Sequence, residues 1–315
     1  MLNLTEQSQG KKLLINDNVI SNFNLTEGIN TIPEFAFNGF NINSLTIPSS
    51  VTSLERYAFS DCTSLSKVTI CGTPKIESNA FSNDSNIKEL VYGDGCETAI
   101  RTPLTNIESV VIGNTVKKIA EDAFLRFPNL KKVTISESVA SIGNGAFQEC
   151  ESLSSITIPE SVTSIGSYAF RDCPFTAISI PKNVSTIGDY TFSNCSSLSG
   201  VTIYGSPTIS WNAFYGCSNV KELTFGEGCE TAVSSGLESI ETVTFANSLK
   251  TIGSYALSGC SKLTSVTIPN GVTRIKDYAF KGCSNLKSIT IPNNVTTIET
   301  DAFSDCSSIS KVTIN

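Results

Sequence analysis

A chain of 315 residues with a net charge of −7 and no histidine is a poor candidate for nucleic-acid binding, which needs clustered Lys and Arg. The missing imidazole also removes the usual general base, the usual metal ligand and any Ser–His or Cys–His dyad. Apolar residues at 40% suffice for a core while charged ones at 16% are sparse, and no apolar run approaches the ~18–20 residues that cross a bilayer.

The opening stretch MLNLTEQSQGKKLLIND has neither the basic nor the apolar region of a signal peptide. The chain is therefore expected either to be intracellular or to have lost such a segment. Residues 1–22 do not thread as a repeat, and KLLINDNVISN is expected to cap the N-terminal end of a core formed by residues 23–315.

From residue 23 onward the chain is periodic. Phe37, Phe59, Phe81, Phe124, Phe147, Phe170, Phe192, Phe214, Leu257, Phe280 and Phe303 occupy one equivalent position, most of them in an Ala-Phe dipeptide. Their spacings run 22, 22, 43, 23, 23 and then repeat in the same order, so a block of six coils is duplicated at an offset of 133 residues. Each 43-residue interval hides a degenerate coil without the dipeptide, near 90–109 and 223–242, and these open with GDGCETA at Gly93–Ala99 and GEGCETA at Gly226–Ala232. The degenerate coils are expected to change curvature or twist locally. Asp94 and Glu227, each between two glycines, are expected to be turn residues rather than phosphate or calcium ligands.

A regular coil reads LTSVTIPNGVTRIKDYAFKGCSN from Leu263. Val266-Thr267-Ile268 alternates as a short strand, Pro269 ends it by withholding an N–H, and Val272–Ile275 is a second extended piece. Tyr278, Ala279, Phe280 and Cys283 are then expected to meet in a turn of helical or 3₁₀ character. A period of 20–23 with one strand per repeat is a solenoid signature. One coil alone cannot offset the ~1–2 kcal/mol of backbone entropy lost per ordered residue, so coils must stack and share stability with their neighbours. Fourteen strand centres follow by register, at Asn24, Thr46, Thr69, Val91, Val111, Thr134, Thr157, Ser179, Thr202, Thr224, Thr244, Thr267, Thr290 and Thr313. The expected fold is a mainly β, right-handed curved solenoid of about 14 coils, roughly 65 Å long at ~4.8 Å per strand. The final Ile314-Asn315 follows a strand and is expected to leave an open edge, read as a truncation of a longer chain or as an end-to-end stacking surface.

Three constellations invite a functional reading. Cys62, Cys150, Cys173, Cys195, Cys217, Cys260, Cys283 and Cys306 each lie three residues after the Phe position or its Leu stand-in, and are expected to be inward packing residues. In-register side chains aim alike, which disfavours disulfides between coils, and a metal site lacks both a CxxC pair and His. Cys71, Cys96 and Cys229 fall outside the column. The second constellation is the hydroxyl row: ten strand centres are Thr and one is Ser. Thr134, Thr157, Ser179, Thr202, Thr224 and Thr244 are the candidate binding face, set against the plain preference of Thr for strands; an ice-binding lattice fits one Thr per curved strand poorly. The third is Glu149 with Asp172, equivalent carboxylates of adjacent coils and the one arrangement a glycosidase could use. Arg126 and Arg171 beside them favour an ion-pair face instead. Sequons at Asn3, Asn24, Asn83, Asn183, Asn194 and Asn294 matter only in a eukaryotic source.

The pattern I/V-T-I-P-x-x-V-T-x-I-G-x-Y-A-F-x-x-C-x-x-L, clearest in SITIPESVTSIGSYAFRDC from Ser155 to Cys173, resembles the BspA-like leucine-rich repeats of bacterial and protozoan surface proteins. The resemblance covers residues 23–314 except the two degenerate coils. It implies a leucine-rich-repeat solenoid displayed at the cell surface or secreted, used in adhesion to proteins or glycans, with no enzyme activity and no cofactor. The expected function is a non-catalytic binding module for an extracellular protein or glycan, with no nucleic acid and no membrane insertion. A structural spacer or self-associating stalk is the alternative, and a polysaccharide-acting β-solenoid enzyme is the third reading.

Overall fold

The computed structural model describes residues 3–7, 10–15, 18–19, 22–25, 27–99, 104, 106–229, 231–232 and 237–314. Asn3–Gln7, Gly10–Ile15 and Asn18–Val19 form a small antiparallel sheet of their own. The side chains of residues 1–22, on which the expected capping contacts depend, lie outside the described set.

The rest winds as a β solenoid. Its principal strands pair in parallel and in register, so that Leu45, Val68, Leu90, Val110 and Val133 stand side by side. Alternation sends Val68 and Ile70 into the core and leaves Thr69 half-buried, as period 2 requires. Twelve of the fourteen expected strand positions pair this way. They form a six-stranded sheet from Asn22–Asn24 to Lys132–Ile135, a four-stranded sheet from Ala177–Ile180 to Thr242–Phe245, and the pair Ser288–Ile291 with Lys311–Ile314. The segments around Thr157 and Thr267 carry no strand and interrupt the sheet, although their own coils continue through Ser164–Ile165 and Arg274–Ile275.

In the five coils with a proline after the strand position, that proline starts a tight turn. The Pro159 carbonyl accepts the Val162 N–H at 3.1 Å, and Pro48, Pro181, Pro269 and Pro292 repeat the bond. A two-residue strand follows and builds a second parallel ladder. That ladder breaks twice, between Lys75–Ile76 and Thr98–Ala99 and again between Thr208–Ile209 and Thr231–Ala232. The two breaks are 133 residues apart and mark the entry to each degenerate coil. GDGCETA is a turn at this entry: Gly95 lies at φ +85° and Gly228 at +90°, and the Cys96 N–H closes onto the Gly93 carbonyl at 3.2 Å. Asp94 and Glu227 are turn residues.

The Ala-Phe corner differs from the sequence expectation. Among the described residues it contains no helical or 3₁₀ segment. All eleven residues two places after the Phe position have positive φ, from 57° to 79°, and nine of those two places before it lie between 54° and 59°. A 3₁₀ turn needs φ of about −50° to −70° throughout. The corner instead offers its N–H groups to the next coil: Phe147 donates to the Ala169 carbonyl and Glu149 to that of Arg171, both at 2.8 Å. Neighbouring coils thus make a third ladder here, which holds even Tyr and Arg in the left-handed region that they seldom adopt alone.

Inside the corner the phenylalanines stack coil on coil. Phe124, Phe147, Phe170, Phe192 and Phe214 are separated by ring-centroid distances of 5.1, 5.5, 5.4 and 5.1 Å. Each degenerate coil puts a buried leucine, Leu104 or Leu237, where this column has its ring, and a strand aromatic at equivalent positions adds to the interior nearby. Tyr92 meets Phe124 edge-on at 6.0 Å, and its duplicate Phe225 stacks on Phe245 at 5.5 Å.

Candidate functional site

The hydroxyl face is only partly continuous. Ser179, Thr202, Thr224 and Thr244 are direct neighbours in the four-stranded sheet. Thr134 belongs to the first sheet, as partner of Val111, and Thr157 sits in the strandless segment between the two. The structure therefore joins four of the six candidate residues into one row. Beside that row run Ala177, Gly200, Glu222 and Thr242, so the edge next to Ser179 and Thr202 carries small residues that let a partner's backbone approach, while Glu222 puts one carboxylate beside Thr224.

Glu149 and Asp172 are engaged as the arginines beside them suggest. Arg126 Nε meets Glu149 at 2.8 Å and Arg171 Nε meets Asp172 at 2.9 Å. The Arg126 guanidinium and the Gln148 amide hold the Glu149 carboxyl below the usual carboxylate range, so Glu149 is not set up as a proton donor. Both residues stand at the left-handed corner position.

The cysteine column has a role that composition alone does not disclose. Each column thiol donates to the backbone carbonyl at the Phe position one coil earlier: Cys62 to Phe37 at 3.2 Å, Cys150 to Phe124 at 3.1 Å, Cys173 to Phe147 at 3.1 Å and Cys217 to Phe192 at 3.0 Å. Cys260 makes the corresponding bond to Leu237. The small thiol fills the corner and also satisfies a buried acceptor, which a methyl group could not do. Burial pushes Cys62, Cys150 and Cys260 up to about 12, so these groups stay protonated and unreactive. Of the eleven cysteines only Cys71 and Cys306 are less than fully buried. Thiol titration of the native chain is accordingly expected to count at most those two, and all eleven once denaturant is added without reductant. A requirement for reductant would show bridges in place of the column.

One member of the column is not a thiol. Asp84 occupies the position in the coil of Phe81; it is only 6% exposed and neither carboxyl oxygen has a hydrogen-bond partner. It lines a narrow cleft of about 150 Å³ with Phe81, Asn83, Ile87, Leu104 and Asn106. Advancing by 133 residues gives Cys217 and a second cleft, of about 780 Å³, whose walls include Trp211, Tyr215, Glu238, Tyr255 and Lys262. The two clefts are copies of one place, beside a degenerate coil that lacks the Ala-Phe dipeptide. Only the second has acquired exposed aromatic side chains, with Trp211 exposed over 77% of its surface, Tyr215 over 62% and Tyr255 over 55%. Sequence reasoning missed them because they stand three before, one after and two before the Phe position, and so fall in no single column.

The family described as "BspA type Leucine rich repeat region (6 copies)" matches residues 15–102, 102–165, 117–235 and 208–315. No curated protein gives a significant match. Among solved structures, a leucine-rich repeat protein from Bacteroides ovatus ATCC 8483 is 22% identical over 99% of this chain and 92% of its own, with a TM-score of 0.53. A leucine rich cell surface protein from Faecalibacterium prausnitzii A2-165 is 24% identical over 99% and 95%, with a TM-score of 0.38. The likeness to the first is one of fold.

Proposed function

The chain belongs to the BspA-type leucine-rich-repeat family, and from that premise we propose that it is a non-catalytic binding module that acts outside the cell, at the surface or secreted, in adhesion. Leucine-rich-repeat proteins are generally binding modules. The observation that carries the reading here is the in-register row Ser179–Thr202–Thr224–Thr244. Four adjacent strands present hydroxyl groups, each both donor and acceptor, with Ala177 and Gly200 beside them. Such a strip meets another macromolecule with little desolvation of charge. The surface location is taken from the resemblance. No helix among the described residues is long and apolar enough to cross a membrane.

A double substitution tests it. Thr202→Lys with Thr244→Lys places two ammonium groups on alternate strands, which avoids like charges on directly paired residues. The immobilised parent chain is screened against extracellular matrix proteins and glycans. Ligands found are expected to bind the variant at least about tenfold more weakly, a loss of ~1.4 kcal/mol, while unfolding stays cooperative, because Thr244 is exposed and Thr202 half-buried on the open face of the sheet. Unchanged affinity would move the chain to the spacer reading.

A further inference from the structure

We propose that the wide cleft at Trp211 is a carbohydrate site that takes a neutral pyranose oligosaccharide. The inference rests on the binding-module reading and names the class of ligand for one part of the surface.

The duplication supplies an internal comparison. Trp211, Tyr215 and Tyr255 correspond to Ser78, Ser82 and Asp122 in the first block. The first block builds the same corner, with Phe37, Phe59 and Phe81 stacked at 5.1 and 5.7 Å, and does so without any of the three aromatics. They are therefore not needed to make the fold. Large apolar side chains gathered on a surface without a structural task mark an interaction site.

Their arrangement is specific. On the outside of the corners, tyrosines of neighbouring coils cover one another's faces: Tyr168 stacks on Tyr190 at 5.3 Å and Tyr255 on Tyr278 at 4.9 Å. Tyr190 meets Tyr215 edge-on at 6.0 Å. The degenerate coil then interrupts the series, and Tyr255 lines the cleft opposite Trp211 and Tyr215. The opening is thus walled by aromatic rings from two coils that are not consecutive.

The remaining walls decide the ligand class. Among the described residues no aliphatic side chain lines the cleft; between the rings stand Glu238, Lys262, Asn212 and several serines. A groove for a peptide or helix anchors aliphatic side chains in apolar pockets, and the described lining offers none. A pyranose matches both kinds of wall. Its C–H face carries slight positive charge that suits the negative face of an indole or phenol ring, and its hydroxyl edge pairs with a carboxylate acceptor and an ammonium donor. A volume of about 780 Å³ lies within the ~300–1,000 Å³ usual for small-molecule sites. The narrow first cleft, with Ile87 and Leu104 in its lining, has neither an exposed ring nor an ammonium donor among its described residues.

The experiment is direct because Trp211 is the only tryptophan of the chain, so its emission reports on this cleft alone. The chain is titrated with the linear trisaccharides of glucose, mannose, galactose and N-acetylglucosamine. At least one is expected to give a saturable change in emission, with Kd near or below ~1 mM. Tyr215→Ser with Tyr255→Asn keeps the reporter, and Asn accepts the left-handed backbone of Tyr255. This variant is expected to bind at least about tenfold more weakly, whereas Tyr57→Asn, at the far end, leaves Kd unchanged. No response to any of the four sugars, or a response that survives the double exchange, overturns the proposal. A protein ligand that alters Trp211 emission where sugars do not would also overturn it. Failure of all four sugars, together with a macromolecular ligand that depends on Thr202 and Thr244 but not on Tyr255, would end the carbohydrate assignment and leave the binding module standing.

Discussion

Replacing Phe192 with Asp is expected to abolish cooperative unfolding of the chain. Phe192 is fully buried and its ring lies 5.4 Å from Phe170 and 5.1 Å from Phe214. Its N–H donates to the Ala213 carbonyl at 2.8 Å and its own carbonyl accepts the Cys217 thiol at 3.0 Å. One residue thus carries the ring stack, the corner ladder and the cysteine column together. Truncating a buried Phe costs ~3–5 kcal/mol, and an unpaired charge in its place costs more, against ~5–15 kcal/mol for a whole domain. In a solenoid the damage cuts the array, because each coil is held only by its neighbours. Urea titration followed by far-UV circular dichroism is expected to show a broad, non-cooperative transition for Phe192→Asp. Phe192→Leu serves as the control. Leu257 already occupies this column, so that exchange is expected to shift the midpoint while retaining a single transition. A mild effect of the aspartate would place the ring outside the shared core.

The features of the fold that were legible in the sequence are those that repeat. The register could be read from the Phe positions because identical residues in successive coils must stack if the interior is shared, and Phe124 through Phe214 do so. The corner was misread because Tyr-Ala-Phe-x-x-Cys also suits one helical turn. What decides the matter is that the N–H groups of Phe147 and Glu149 go to the next coil, a non-local fact that a local pattern does not contain. The strandless segments at Thr157 and Thr267 were equally hidden, since SSITIP and TSVTIP read like every other strand. In the candidate face, register placed Ser179 to Thr244 correctly in one row, but the sheet interruption separates that row from Thr134. The aromatic cleft depends on residues from coils that are not adjacent, Trp211 and Tyr215 on one side and Tyr255 on the other.

Asp84 gives the chain an expected dependence on pH that runs opposite to that of its surface carboxylates. Burial, with the nearby Asp61 charge adding to it, pushes the Asp84 carboxyl up to about 7, and the Cys62 N–H opposes this without making a hydrogen bond of good geometry. The column explains the sense of the shift: the other sites use a donor, as Cys217 does toward Phe192, and an ionised carboxylate can only accept. The folded value lies above the ~3.9 of an unfolded aspartate, so between these values the native chain binds more protons than the unfolded one. Stability from this group is complete below pH ~4, falls as pH rises through about 7, and is then lost, a difference of at most ~4 kcal/mol. The Lys131 and Arg126 partners hold Glu108 and Glu149 low, so those carboxylates lose their contribution only as pH falls toward the acid range, and comparison with a variant separates the two effects. Urea midpoints at pH 5 and pH 8 are expected to differ more for the parent than for Asp84→Asn, with the parent weaker at pH 8. Asp84→Cys restores the column thiol, as at the duplicate Cys217, and is expected to raise the pH 8 midpoint above the parent's. Equal pH dependence in parent and Asp84→Asn would show that Asp84 has the same pKa folded and unfolded, and hence that the column imposes no demand for a donor.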